Sequence, residues 1–220
     1  FIVDLSAPGK RDGEEGSTTA LIRGTGAALK RRGYRIGGFQ AVMTSDVPVG
    51  SGLSSSASVE VLIGTIFNYF YNNNRIDLQE IAKIAQYAEN RYFGKPCGLM
   101  DQTACAVGGI VHIDFNNPDN PDVKKIMFDF EEHEYALLVV DTGENHADLS
   151  EDYSAVPAEM KRVAAYLNGT VLRECDEQRF YREIPELRKK AGHRAVLRSF
   201  HFFNQTRRVQ KQTGALYHNA

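Results

Sequence analysis

The sequence predicts an α+β fold on three observations. Apolar residues recur at helical spacing in several separate stretches, short strand-like runs stand between them in mixed order, and no internal repeat or low-complexity tract is present. With 220 residues, 42% of them hydrophobic, the chain can bury a substantial core as one domain or two small ones. Its 26 basic and 28 acidic residues are mixed along the sequence and leave a net charge of −2, which gives no electrostatic footprint for nucleic acid or an anionic membrane. A small ligand is the better expectation. Cys97, Cys105 and Cys175 have no metal-binding spacing and fit reduced thiols, so the sequons at Asn168 and Asn204 read as chance matches. No apolar run is long enough to span a bilayer and no signal segment opens the chain, so a soluble cytoplasmic protein is expected.

The elements follow in order. FIVDL at the start reads as a strand, and residues 6–17, rich in Gly, Ser and charge, read as an exposed loop. Leu21, Ile22, Ala28 and Leu29 mark a helix that Gly33 stops. Residues 36–45 read as a strand, followed by the Gly/Ser segment and a helix with Val59, Leu62, Ile63, Ile66 and Phe70 on its apolar stripe. After the break at Asn72-Asn73-Asn74, a further helix carries Leu78, Ile81, Ala82, Ala85 and Ala88. Strands are expected at 107–115 and 135–140 around a turn cluster at 116–122, and amphipathic helices from Ser154 onward.

Three segments carry candidate chemistry. Residues 48–58, PVGSGLSSSAS, place glycines and hydroxyls between a strand and a helix, where backbone N–H groups and the helix N-terminus suit a phosphate and serines can reach phosphate oxygens or Mg²⁺. The segment is neither a Walker A loop nor a Rossmann fingerprint, and an ordinary turn with a serine N-cap fits its composition equally well. Glu89 continues the apolar stripe of its helix, where a carboxylate requires a partner. A metal is one; on pattern alone, a helix-end carboxylate that reaches water or pairs with Arg91 is the simpler reading. In GLMDQ, Asp101 follows a glycine and two apolar residues, placed either to orient a nucleophile or to serve a turn or N-cap.

Taken together and in order, these segments resemble the GHMP kinase family in its galactokinase form. VPVGSGLSSSASVE is similar to the family's phosphate-binding second motif, and GKPCGLMDQ to the segment bearing the catalytic Asp. The similarity extends over IGGFQAVMTSDVP, YAENRYFGKPCG and residues 141–153. The resemblance implies a two-domain fold with an N-terminal domain like domain 2 of ribosomal protein S5 and an active site in the interdomain cleft. Residues 1–135 would be the ATP-binding domain and 136–220 the beginning of the second. It implies phosphate contacts at Gly50, Ser51, Gly52, Leu53, Ser54, Ser55 and Ser56, with Mg²⁺ on Ser56 and Glu89. It makes Asp101 the catalytic carboxylate, and Gly98, Asp101 and Tyr153 the sugar contacts. ATP and galactose are the implied substrates, of a monomer.

The family's N-terminal Arg and Glu-His-Thr-Asp run and its late Gly-rich motif do not occur in this sequence, and Ser17–Gly24 lacks the aromatic residues relatives place near the base. The chain therefore reads as a central portion, expected to phosphorylate little galactose alone. A GHMP kinase for another sugar and a non-catalytic galactose/ATP sensor are the alternative readings.

Overall fold

A computed structural model describes residues 2–47, 52–140 and 150–218, with the side chains of Ser150, Glu151 and Tyr153 outside the description. Two compact units form, one running to Val111 and the other beginning at His112 and holding everything described from Ser150 on.

The first unit is built on helices. Helix α1 spans Thr18–Arg31 and starts where Ser17 Oγ accepts from the Ala20 N–H at 3.2 Å; Gly33, at φ +81°, ends it as expected. Helix α2 covers Ser55–Asn72 and closes at Asn73 and Asn74, both left-handed; the Asn68 side chain then bonds both backbone groups of Ile76 and turns the chain back. Asp77 caps α3, Leu78–Ala88, by accepting from the Glu80 N–H at 2.9 Å. A π-helical turn, Glu89–Phe93, follows, and then α4, Met100–Val107. Leu29, Phe67, Ile81, Ile84 and Ala85 form the core among the first three helices. The α2 stripe differs in part from expectation. Ile63 is buried and Val59 and Ile66 pack against the core as expected, but Leu62 and Phe70 are exposed, and the buried face runs through Ala57, Glu60, Val61, Ile63, Gly64, Phe67 and Asn68, so two polar side chains lie inside the unit.

Helices α1 and α3 cross closely at Gly24. A Cβ there would meet Ala88 Cα at 2.8 Å and Ala88 Cβ and Tyr92 Cβ at 2.9 Å. The Gly24→Ala protein is expected to lose about 1–3 kcal/mol, since two helix backbones must move to admit a methyl. Urea unfolding of parent and variant measures this; equal midpoints would refute the contact. The same crossing carries Ala88, the residue before Glu89.

In the second unit, β1, Ile110–Asp114, and β2, Asp122–Ile126, make a two-stranded sheet; β1 opens on the last residues of the first unit. Helices α5 (Ser150–Tyr166), α6 (Glu177–Arg182), α7 (Ile184–Ala191) and α8 (His193–His218) complete it, with a 3₁₀ turn at Leu172–Glu174. Val163, Phe180, Leu187, Val196 and Phe203 form its core. The Glu159 carboxylate of α5 is gripped by Arg194 and Arg198 of α8 at 2.7 and 2.6 Å, so the buried anion is paired.

The expected strands at residues 2–5, 36–45 and 135–140 are not strands. Extended chain becomes a strand only with a hydrogen-bonding neighbour, and the sole sheet among the described residues is β1 with β2. Val42 and Leu138 lie open to solvent accordingly. The strand expected over 107–115 begins only at Ile110, because α4 runs to Val107 and Gly108 and Gly109, both at positive φ, separate the two; β2 follows the turn cluster, and both it and α4 went unforeseen.

Candidate phosphate and metal site

Helix α2 begins in an unusual way. Ser54, its N-cap, sits in the left-handed region at φ 61°, ψ 44°, and makes no side-chain capping bond. A serine held there is strained, and the first N–H groups of α2 are left without the side-chain acceptor such a position normally supplies. Gly52, at φ +75°, precedes it in an exposed turn with Leu53. Gly50 and Ser51, expected as phosphate contacts, lie outside the described residues. The Ser58 hydroxyl is spent on the Ser55 carbonyl at 2.8 Å, and the Ser56 hydroxyl turns the other way and donates to Glu89 Oε1 at 2.8 Å.

Glu89 stands at the junction of α3 and the π-helical turn, only 2% exposed. Its partner is not Arg91. Oε1 takes the Ser56 hydroxyl, with Lys95 Nζ 3.8 Å away, and Oε2 accepts from Gln102 Nε2 at 2.6 Å. The continuation of the α3 stripe thus delivers a carboxylate to the start of α2, with its two oxygens held by different elements.

Beneath this pair lies a buried polar group absent from the sequence expectations. Glu60, one turn beyond Ser56 on α2, and Gln102 of α4 are both fully buried. Gln102 Nε2 also approaches Glu60 Oε2 at 3.4 Å and Cys97 Sγ at 3.5 Å, while Glu60 Oε1 and Gln102 Oε1 have no partner. Burial, and then the negative charge of Glu89, push the Glu60 carboxyl up to about 9, so it is protonated at neutral pH. Burial and the nearby Glu89 likewise push the Cys97 thiol up, so no reactive thiolate forms there.

A carboxyl whose folded pKa is raised favours the fold below its unfolded value, and that stability is lost as pH climbs through the folded value. The window for Glu60 therefore runs from about 4.5 to about 9. Glu60→Gln, which removes the titration and keeps the shape, is expected to raise the melting temperature more at pH 8.5 than at pH 5.5. Equal shifts at the two pH values would mean that Glu60 is not buried as an acid.

Asp101 occupies the first turn of α4, behind Leu99 as N-cap, so it is neither a turn residue nor the cap. A carboxylate there is favoured by the helix dipole. It is partly exposed and has no hydrogen bond or ion pair among the described residues, while the next residue, Gln102, reaches inward to Glu89. Gly98 is exposed one turn before, with open space where a Cβ would stand. Tyr153 lies in α5 of the second unit, and its side chain is outside the description. The structure thus brings Ser56, Glu89 and the α4 turn bearing Asp101 together around Gln102.

Among the described residues no three His, Cys, Asp or Glu side chains gather as a metal cage. Ser56 Oγ and Glu89 Oε1 nevertheless stand 2.8 Å apart, close to the ~2.9 Å edge of an oxygen octahedron at 2.0–2.1 Å from Mg²⁺. Mg²⁺ usually takes one or two protein ligands and completes its shell with water and phosphate oxygens, so this donor pair fits it. No helix among the described residues is long and apolar enough to cross a membrane.

Residues 20–109, which hold most of α1, all of α2 to α4 and the whole Ser56–Glu89–Gln102 arrangement, match the GHMP kinases N terminal domain. Over these residues the chain resembles the GHMP kinases. The proteins it is similar to include galactokinases. The galactokinase of Pyrococcus furiosus is 38% identical over 69% of this chain and 41% of its own length, and that of Streptomyces coelicolor 31% identical over 97% and 54%. The crystal structure of Lactococcus lactis galactokinase complexed with galactose has the same fold, with a TM-score of 0.72 at 24% identity over 97% of this chain and 54% of that one. The chain spans about half the length of the relatives it matches.

Proposed function

We propose that the intact protein is a galactokinase-type sugar kinase, transferring the γ-phosphoryl group of MgATP to the anomeric hydroxyl of galactose to give galactose 1-phosphate. The observation that carries this reading is the meeting of Ser56 and Glu89 at the uncapped N-terminus of α2, with Asp101 on the neighbouring α4 turn. Phosphoryl transfer asks a protein mainly to position its substrates and offset charge. The open N–H groups of α2 and the hydroxyls of Ser54 and Ser55 would bind phosphate oxygens. Ser56 and Glu89 would hold the metal, which when bound offsets charge on the transferring group. Gln102 keeps Glu89 Oε2 occupied, so that Oε1 is the oxygen turned toward Ser56. Asp101, without a hydrogen-bond partner among the described residues, would accept or orient the proton of the sugar hydroxyl, with Gly98 and Tyr153 as further sugar contacts. The domain assignment of residues 1–135 and 136–220, a monomeric state and a cytoplasmic location belong to the same proposal.

The test is a coupled assay of ADP release by the intact protein against a panel of hexoses. Turnover on galactose well above the other sugars is expected. Turnover on a different hexose would reassign the substrate, and galactose binding without ADP release would make the protein a sensor.

A further inference from the structure

Lys95 lies in the loop joining the π-helical turn to α4, and its backbone is held firmly. The N–H groups of Gly94 and Lys95 both donate to the Glu89 carbonyl, at 3.0 and 3.3 Å. Two residues on, Cys97 donates its N–H to Asn90 Oδ1 at 2.7 Å, and its carbonyl accepts from Gln86 Nε2 and Asn90 Nδ2, each at 3.3 Å. The Lys95 side chain is in a different situation. It is 60% exposed, and its one partner among the described residues is Glu89 Oε1 at 3.8 Å, too far for a hydrogen bond. That oxygen already receives the Ser56 hydroxyl, and Glu89 Oε2 belongs to Gln102.

The charge balance here is unusual. An ammonium group is the wrong sign for the N-terminal end of a helix, which already carries roughly half a positive charge. Lys95 Nζ and the Ser56 hydroxyl, in the first turn of α2, meet on one carboxylate oxygen, Glu89 Oε1. Two positive features with a single anion between them leave an excess that an incoming polyanion offsets. Lysine serves such anions as a flexible point charge, and this one has a fixed base and a free head.

We propose that Lys95 is a phosphate ligand of this site, donating from Nζ to a non-bridging oxygen of a nucleoside polyphosphate seated at the N-terminus of α2. The proposal rests on the reading of that terminus as the nucleotide site. It carries a second consequence with the opposite sign. A divalent ion on Glu89 Oε1 and the Lys95 ammonium compete for one oxygen, so removing Lys95 weakens nucleotide binding and strengthens metal binding by the nucleotide-free protein.

Calorimetric titration of the intact protein with ADP, and titration with Mn²⁺ followed by electron paramagnetic resonance, test this on Lys95→Met, Lys95→Arg and Glu89→Gln. Lys95→Met is expected to weaken ADP binding about tenfold or more, as for loss of a charge-assisted hydrogen bond. The loss should shrink in added salt. Lys95→Arg should stay within about threefold of the parent, since the charge is kept. Lys95→Met should also bind Mn²⁺ more tightly than the parent without nucleotide. Parent-like ADP and Mn²⁺ binding by Lys95→Met, alongside Mn²⁺ binding lost in Glu89→Gln, would overturn the assignment of Lys95 alone. If the parent binds no ADP, or Glu89→Gln leaves Mn²⁺ binding unchanged, the underlying site reading fails instead. Lys95 is far enough from the core that circular dichroism of Lys95→Met should match the parent.

Discussion

Replacing Asp101 by Asn or Ala in the intact protein is expected to cut turnover by about 10²–10⁴-fold, the usual worth of a positioned general base. ADP binding should change little. The expectation rests on where the structure puts the side chain. Asp101 is in the first turn of α4, partly exposed and without a hydrogen-bond partner among the described residues, so its loss strands no described buried donor and costs the fold little. Its neighbour Gln102 faces the opposite way, into the polar cluster, and keeps α4 anchored whatever stands at 101. A rate measurement at saturating MgATP and sugar, paired with ADP titration, separates the two roles. Turnover within a few-fold of the parent would remove Asp101 from the chemistry, and a parallel loss of ADP affinity would make it a nucleotide contact.

Ser56→Ala and Glu89→Ala are each expected to raise the Mg²⁺ concentration that supports half-maximal turnover, and the double variant should be little worse than the stronger single one. The structure sharpens how this must be read. Because Ser56 Oγ already donates to Glu89 Oε1 at 2.8 Å, the two substitutions will be non-additive in stability with or without a metal. Only the Mg²⁺ dependence reports the shared ion. Glu89→Ala also strips Gln102 Nε2 of its 2.6 Å acceptor inside the protein, so Glu89→Gln is the cleaner variant. Fully additive effects on the Mg²⁺ requirement, or none, would mean that the two residues do not hold one ion.

Several features of this arrangement were legible from residue order alone. The 3.6-residue spacing of Ile81, Ala82, Ala85 and Ala88 leads to Glu89 and marks it as a carboxylate in need of a partner, although on pattern alone a helix-end group reaching water or Arg91 is the simpler reading, which its burial overturns. The asparagine break and the Gly33 stop are local backbone preferences, and both appear where expected. The partner of Glu89 was not legible, because a hydrogen bond between residues 33 positions apart depends on how α2 and α3 pack. Glu60 was hidden for a related reason. Following Val59 and Leu62 sets the α2 stripe slightly out of phase, whereas starting from Ala57 carries it through Glu60, Gly64 and Asn68 and would have flagged two buried polar residues.

The sequence by itself determined the motif residues, the helices α2 and α3 and the order of the three chemical segments, because these depend on short-range spacing and on residue types such as glycine, serine and aspartate. Tertiary structure decided the rest. It showed that residues 36–45 and 135–140 have, among the described residues, no neighbouring strand, which extended chain needs, that Asp101 belongs to a helix, and that Gln102 ties α4 to the carboxylate facing Ser56. Each of these depends on which surfaces meet in space, and helix spacing along one chain fixes a buried face without naming what packs against it.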